Sequence, residues 1–227
     1  MRLFVKKQKR YLHAEFKHDL REEKALHVWQ RYQNILNGKI LDVGANKGYL
    51  RKFLRKDIKY TSLDKNPPAD VILDLEKNKL PFKNNSFNCV LCLDVLEHLD
   101  NPHEVFDELC RVTRSYVIIA LPNPWGIFMS MLKTGYYTGT IPIKFHNLPI
   151  HPPKDRHKWF YGIHEARQFI IGRGKINGMN VVQINESKRL SIKQKVYRQI
   201  LRLMIHKDID TEELLSGPIW AVLRKKD

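Results

Sequence analysis

The segment Ile40-Leu-Asp42-Val-Gly44-Ala-Asn46-Lys-Gly48-Tyr constrains the fold more than any other stretch of this chain. A short apolar run ends in glycine, and a helical pattern of Tyr49, Leu50, Phe53 and Leu54 follows. A strand that delivers two glycines just before a helix lets bare backbone approach a ligand and aims helix N–H groups at it. Asp64 lies 22 residues after Asp42, at the end of the next expected strand, where a carboxylate can accept both hydroxyls of a ribose. The glycines do not follow G-x-G-x-x-G, and no G-K-[ST] closes a phosphate loop. The expected ligand is a nucleoside with no pyrophosphate to cradle.

Strands are expected at 39–44, 60–64, 70–75, 87–93, 116–121, 180–184 and 219–223. Helices are expected in the first 36 residues, stopped by Asn37-Gly38, and at about 94–112 and 164–173. Strands alternating with helices predict an α/β fold, a doubly wound and mostly parallel seven-stranded sheet with helices on both faces. With no repeat and no low-complexity linker, 1–227 reads as a single domain with three special regions. They are a basic helical region at 1–37, an insertion at 122–162 and a basic amphipathic helix at 188–207. The insertion carries six prolines, the apolar stretch Trp125 to Leu132, and Tyr136-Tyr137, and a connection this long is expected to be a lid or acceptor-binding loop.

Five blocks, in order, match one family: Asp42-x-Gly44-x-x-x-Gly48; Asp64; Asp70-Val-Ile-Leu-Asp74-Leu; Leu80-Pro-Phe-Lys-Asn-Asn-Ser-Phe87-Asn-Cys-Val90; and Leu93-Asp94-Val-Leu-Glu97-His98-Leu. Over about residues 38–123 the chain resembles the class I S-adenosylmethionine-dependent methyltransferases of the type 11 group. The resemblance implies a Rossmann-like methyltransferase fold with a C-terminal antiparallel strand. It implies that Gly44, Ala45, Asn46 and Gly48 wrap the methionine part of the cofactor, with Asp42 fixing the loop or meeting the amino group. Asp64 would hold the ribose and Lys65 would lie beside the adenine. Asp74 would accept from the adenine amine while Leu75 donates a backbone N–H to the ring, and Asp94 and Val95 would line the methyl-donor end. Asn46 stands where many relatives have glycine, and asparagine tolerates positive φ, so the loop is expected to survive. Asp42 and Asp74 could instead be helix caps or turn formers.

Methyl transfer from a sulfonium is an in-line displacement that needs positioning and exclusion of water. A hydroxyl acceptor also needs a base, and His98, His157 or Glu97 could supply one. Trp125, Tyr136 and Trp159 are the expected acceptor or lid residues. No Asp/Asn-Pro-Pro-aromatic sequence follows the fourth strand, which argues against an exocyclic base amine as acceptor. Cys89-x-x-Cys92 lies inside a strand, where positions three apart face opposite sides of the sheet, so it is read as structural. No metal is expected.

Net charge is +16 over 227 residues, but fifteen of the forty Lys and Arg fall in acid-free patches at 1–10, 188–207 and 224–226. The remaining twenty-five nearly balance twenty-four acids. The patches are appended to a neutral body, so they speak to docking. At 188–207 the apolar Val196, Ile200 and Met204 recur among lysines and arginines, a pattern that lies on anionic lipid. The leading expectation is a cytoplasmic enzyme, peripheral at a membrane surface, that methylates a small-molecule or lipid- or glycan-linked acceptor. The alternative is an RNA methyltransferase whose patches contact phosphates, although they hold few aromatics, such as Tyr11 and Tyr197, to stack bases. The opposing expectation for 188–207 packs its apolar residues on the sheet.

Overall fold

The structure is a computed structural model that describes residues 21–134, 150–151, 155–186, 192–204, 206, 210–211, 214 and 216–226. Seven strands form one sheet: β1 Lys39–Val43, β2 Lys59–Asp64, β3 Val71–Ile72, β4 Phe87–Leu93, β5 Thr113–Leu121, β6 Met179–Glu186 and β7 Ile219–Lys225. Their order is β3-β2-β1-β4-β5-β7-β6. The first five are mutually parallel, and β7 runs antiparallel between β5 and β6. This is the doubly wound, mostly parallel seven-stranded sheet that the sequence predicts, with one reversed strand near its C-terminal edge.

The central strands are apolar on both sides because both faces are covered. One face buries Leu41, Val43, Val90, Cys92, Val117 and Ile119 beneath α2 Pro102–Val112 and α4 Ile163–Ile176. The other buries Ile40, Cys89, Leu91, Ile118 and Ala120 beneath α1 Arg21–Tyr32 and the turn at Tyr49–Phe53. Cys89 and Cys92 therefore stand on opposite faces, both free and buried. A separate small cluster joins Met129 and Trp125 of α3 Pro124–Thr134 to Leu201 of α5 Ile192–Met204 and to Leu214.

Four local expectations change. The helix expected at about 94–112 is a short 3-10 turn, Leu96–His98, followed by α2. Asp94 takes φ 56°, and Pro102, which has no N–H to give, starts the helix rather than continuing one. The expected strand at 70–75 keeps only Val71–Ile72, because the Asp74 side chain accepts the Glu76 N–H at 3.1 Å and turns the chain. The helical pattern after Gly48 is a single 3-10 turn, and part of the presumed loop at 122–162 is α3. Among the described side chains of α5, Val196, Ile200 and Met204 are exposed rather than packed on the sheet, and Leu201 is buried. Tyr136 and the segment around it lie outside the described residues.

Candidate functional site

The order of the sheet reverses at β1, which sends one connection to β2 and faces β4 on its other side. Crevices at such carboxyl ends are where open α/β sheets take ligands. Gly44 leaves β1 at φ 73°, and its N–H and that of Ala45 both donate to the Leu63 carbonyl, at 2.8 and 3.1 Å. A Cβ on Gly44 would stand 2.2 Å from Val95 Cγ2, so the loop and the end of β4 touch with no room for a side chain. Asn46 adopts φ 51° and Gly48 φ 63°, the left-handed geometry for which asparagine and glycine were expected.

Asp64 closes β2 by accepting the Asn46 N–H on one oxygen at 2.9 Å and the Asn66 N–H on the other at 3.0 Å. A carboxylate has about four acceptor positions, so two remain for hydroxyl donors. Lys65 beside it is exposed. Asp74 forms its turn and lies 3.6 Å from Lys77 Nζ, while Leu75 is buried and its carbonyl accepts from Asn101 Nδ2 at 3.1 Å.

Asp42 is buried and accepts the Tyr60 hydroxyl at 2.6 Å. Burial pushes its carboxyl up to about 6, against the downward pull of that hydrogen bond and of Lys24. Lys24 reaches from α1 to Asp94 Oδ2 at 2.5 Å, with its ammonium 5.6 Å from the centre of the Trp220 ring. Neither Lys24 nor Tyr60 is signalled by spacing. Lys24 is 70 residues from Asp94 in the chain, and only the folding of α1 over the sheet brings it there.

A second group of side chains lies just beyond Asp94 and Val95. Glu97 has a fully buried side chain, and its Oε1 is 3.7 Å from His98 Nε2. The other ring nitrogen of His98 lies 2.7 Å from Asp155 Oδ1 and 3.1 Å from the Arg156 carbonyl. The His98 and His157 rings meet edge to face with centroids 4.7 Å apart, so the two expected catalytic histidines do come together. Tyr161, which the sequence reading missed, has a buried hydroxyl with no hydrogen-bond partner among the described residues. Burial and the charges of Glu97 and Asp94 push that phenol well above its ordinary pKa. Of the expected acceptor residues, Trp159 donates its indole N–H to the Leu99 carbonyl at 2.7 Å, which clamps its segment to the Leu96–His98 turn. Trp125 meets the Phe160 ring at 4.9 Å, linking α3 to that same segment.

Residues 41–121 match the family model described as a methyltransferase domain. No curated protein matches the chain. Among solved structures, a S-adenosylmethionine-dependent methyltransferase from Archaeoglobus fulgidus is 19% identical with a TM-score of 0.55, over 90% of this chain and 94% of its own. The small RNA methyltransferase HEN1 is 16% identical with a TM-score of 0.60, over 94% of this chain but only 26% of its own. The [4+2]-cyclase SpnF is 12% identical with a TM-score of 0.52, over 90% and 80%. At such identities the likeness is one of fold.

Proposed function

We propose that this chain is a class I S-adenosylmethionine-dependent methyltransferase and that it methylates a small-molecule or lipid-linked acceptor while docked on an anionic membrane surface, a reading supported by the methyltransferase-domain match over 41–121 and by the likeness of fold. The cofactor fits the crevice on local grounds. Gly44 and Gly48 leave bare backbone in the loop at the end of the first strand, and Asp64 keeps two acceptor positions. Gly44, Ala45, Asn46 and Gly48 would hold the methionine portion with Asp42 beneath them. Asp64 would take the ribose hydroxyls, Lys65, Asp74 and Leu75 the adenine, and Asp94 and Val95 the donor end. When bound, the cofactor supplies a methyl group on a sulfonium, already a good leaving group. The chain has to hold the acceptor in line and keep water out. In this reading His98 and His157 face the acceptor, and α3, carrying Trp125, covers it.

One observation carries the membrane reading. Val196, Ile200, Leu203 and Met204 form one stripe of α5 and are 57%, 49%, 88% and 78% exposed, while Leu201 anchors the helix to Met129 and Trp125 of α3. The same helix carries Lys193, Lys195, Arg198 and Arg202 and no acid. Each cation near an anionic surface is worth about 1 kcal/mol, and an apolar stripe adds to that by entering the headgroup boundary. Docking through α5 would therefore bear directly on the helix that covers the acceptor. No helix among the described residues is long and apolar enough to cross a membrane.

Sedimentation with phosphatidylcholine vesicles, with and without phosphatidylglycerol, tests this. The protein should sediment only with the anionic vesicles, less so at high salt, and a Val196→Asp/Ile200→Asp variant should stay in solution. If anionic vesicles fail to sediment it while RNA retains it with a steep salt slope, the membrane reading is wrong and the RNA alternative replaces it.

A further inference from the structure

We infer that Glu97, His98 and His157 form a site for one divalent cation of the zinc, cobalt or manganese type, and that the ion takes an oxygen of the acceptor. The part concerning the acceptor rests on the reading of the site as a methyltransferase; the cation site itself does not.

Each of the three residues offers one ligand atom, and the three atoms lie within 4.8 Å of one another. Two ligands about 2.1 Å from a common tetrahedral ion are roughly 3.4 Å apart. The observed 3.7 Å between Glu97 Oε1 and His98 Nε2 needs only a small adjustment to meet that, and it is too long for a direct hydrogen bond. The His98 ring is also oriented as a ligand would be. Its Nδ1 faces Asp155 at 2.7 Å and the Arg156 carbonyl, two acceptors, so the proton belongs on Nδ1 and the Nε2 lone pair is left facing Glu97. A carboxylate behind one ring nitrogen with the other nitrogen turned inward is the usual outer support of a metal-bound histidine.

The site is built before any ion arrives. Its ligands come from two segments about sixty residues apart, joined by three bonds. Lys158 N–H donates to the Glu97 carbonyl at 2.8 Å, the Trp159 indole to the Leu99 carbonyl at 2.7 Å, and Lys158 Nζ to Asp100 Oδ2 at 2.6 Å. Lys158 Nζ also meets Glu76. These contacts give the residues around His157 a reason to exist apart from touching substrate: they place that imidazole over the Leu96–His98 turn.

Two imidazoles and one carboxylate suit zinc, cobalt or manganese better than magnesium or calcium, which prefer oxygen alone. Three protein ligands also leave coordination positions open, as sites that bind reactants do. The site follows Asp94-Val95, whose side chain abuts the Gly44 loop, so an oxygen on the ion would lie toward the donor end. The Tyr161 hydroxyl is available to donate to it. Glu97, His98 and His157 would hold the ion, which would lower the pKa of a hydroxyl bound to it; once that proton had passed to solvent, the oxygen lone pair would form the bond to the methyl carbon as the C–S pair goes to sulfur.

Protein stripped with a chelator and titrated with Co2+ tests the site through the ion's own visible absorption. One equivalent should bind with ligand-field bands of low coordination number. His157→Gln should abolish the bands, and Asp155→Asn should weaken Co2+ affinity about 10- to 100-fold by loosening His98. Glu97→Gln alters a buried charge and could fail to fold. The two milder variants therefore carry the test, with S-adenosylhomocysteine affinity and thermal midpoint confirming an intact domain. Absence of a saturable single equivalent in the wild-type protein, or binding indifferent to both variants, overturns the site. Co2+ binding that depends on His157 together with methyl transfer unaffected by chelator keeps the site but overturns its role with the acceptor. Loss of S-adenosylhomocysteine binding in the wild type would instead count against the methyltransferase reading.

Discussion

Replacing Gly44 by alanine offends two separate features of the crevice, and they can be told apart. A non-glycine residue at φ 73° pays roughly 1–2 kcal/mol for its backbone. The new Cβ would also stand 2.2 Å from Val95 Cγ2, where carbons normally approach to about 3.5–4.0 Å, so β1 and β4 must part by more than an ångström locally. Overpacking of that kind costs about 1–3 kcal/mol. Gly44→Ala alone should therefore lose about 2–5 kcal/mol of stability. Val95→Ala removes Cγ2, and the nearest remaining atom, Val95 Cβ, is 3.5 Å from the added methyl, which is ordinary contact. In that background Gly44→Ala should cost only its backbone share, about 1–2 kcal/mol. Urea unfolding of the four proteins, followed by two probes to confirm two-state behaviour, yields a coupling of about 1–3 kcal/mol. If the cost of Gly44→Ala is the same in both backgrounds to within about 0.5 kcal/mol, the close approach of loop and β4 is not what excludes a side chain.

Asp42→Asn should stabilise the ligand-free protein. With the carboxyl held at about 6 instead of 3.8, ionisation disfavours the fold by up to about 3 kcal/mol; the penalty is absent below pH 4, grows between 4 and 6, and is complete above. Unfolding measured at several pH values should show the variant's advantage at pH 7.5 vanishing by pH 4, and an advantage independent of pH would disprove the assignment. Arg111 binds both Glu108 oxygens at 2.7 Å and the carbonyls of Phe82 and Leu80 at 2.7 and 3.0 Å. Arg111→Lys cannot reproduce that fork and should lower stability by about 1–3 kcal/mol, whereas an unchanged urea midpoint would show the network to be dispensable. Tyr60→Phe removes the hydroxyl's hydrogen bond to the Asp42 carboxylate, so the Asp42 carboxyl should titrate still higher; a carboxyl resonance that does not move in NMR would argue that the bond is weak.

Local chemistry determined much of this protein before folding is considered. The order of the seven strands, the glycine loop between 44 and 48, the left-handed Asn46 and the carboxylate at the end of β2 all follow from residues near one another in sequence, because strand period and glycine freedom are short-range effects. The sequence also offered His98, His157 and Glu97 as separate candidates for a base, with nothing in their spacing to bring them together. What only the tertiary structure decided depends on distant segments meeting. Lys24 comes from the first described helix to pair with Asp94, and Tyr60 crosses from β2 to the buried carboxylate of β1. Asp155 stands behind His98 because Lys158 and Trp159 fasten their segment to the turn at 96–98. Periodicity along α5 showed an apolar stripe but could not say which way it faced. That was decided by Leu201, one residue off the stripe, which packs with Met129 and Trp125 and so turns Val196, Ile200 and Met204 outward.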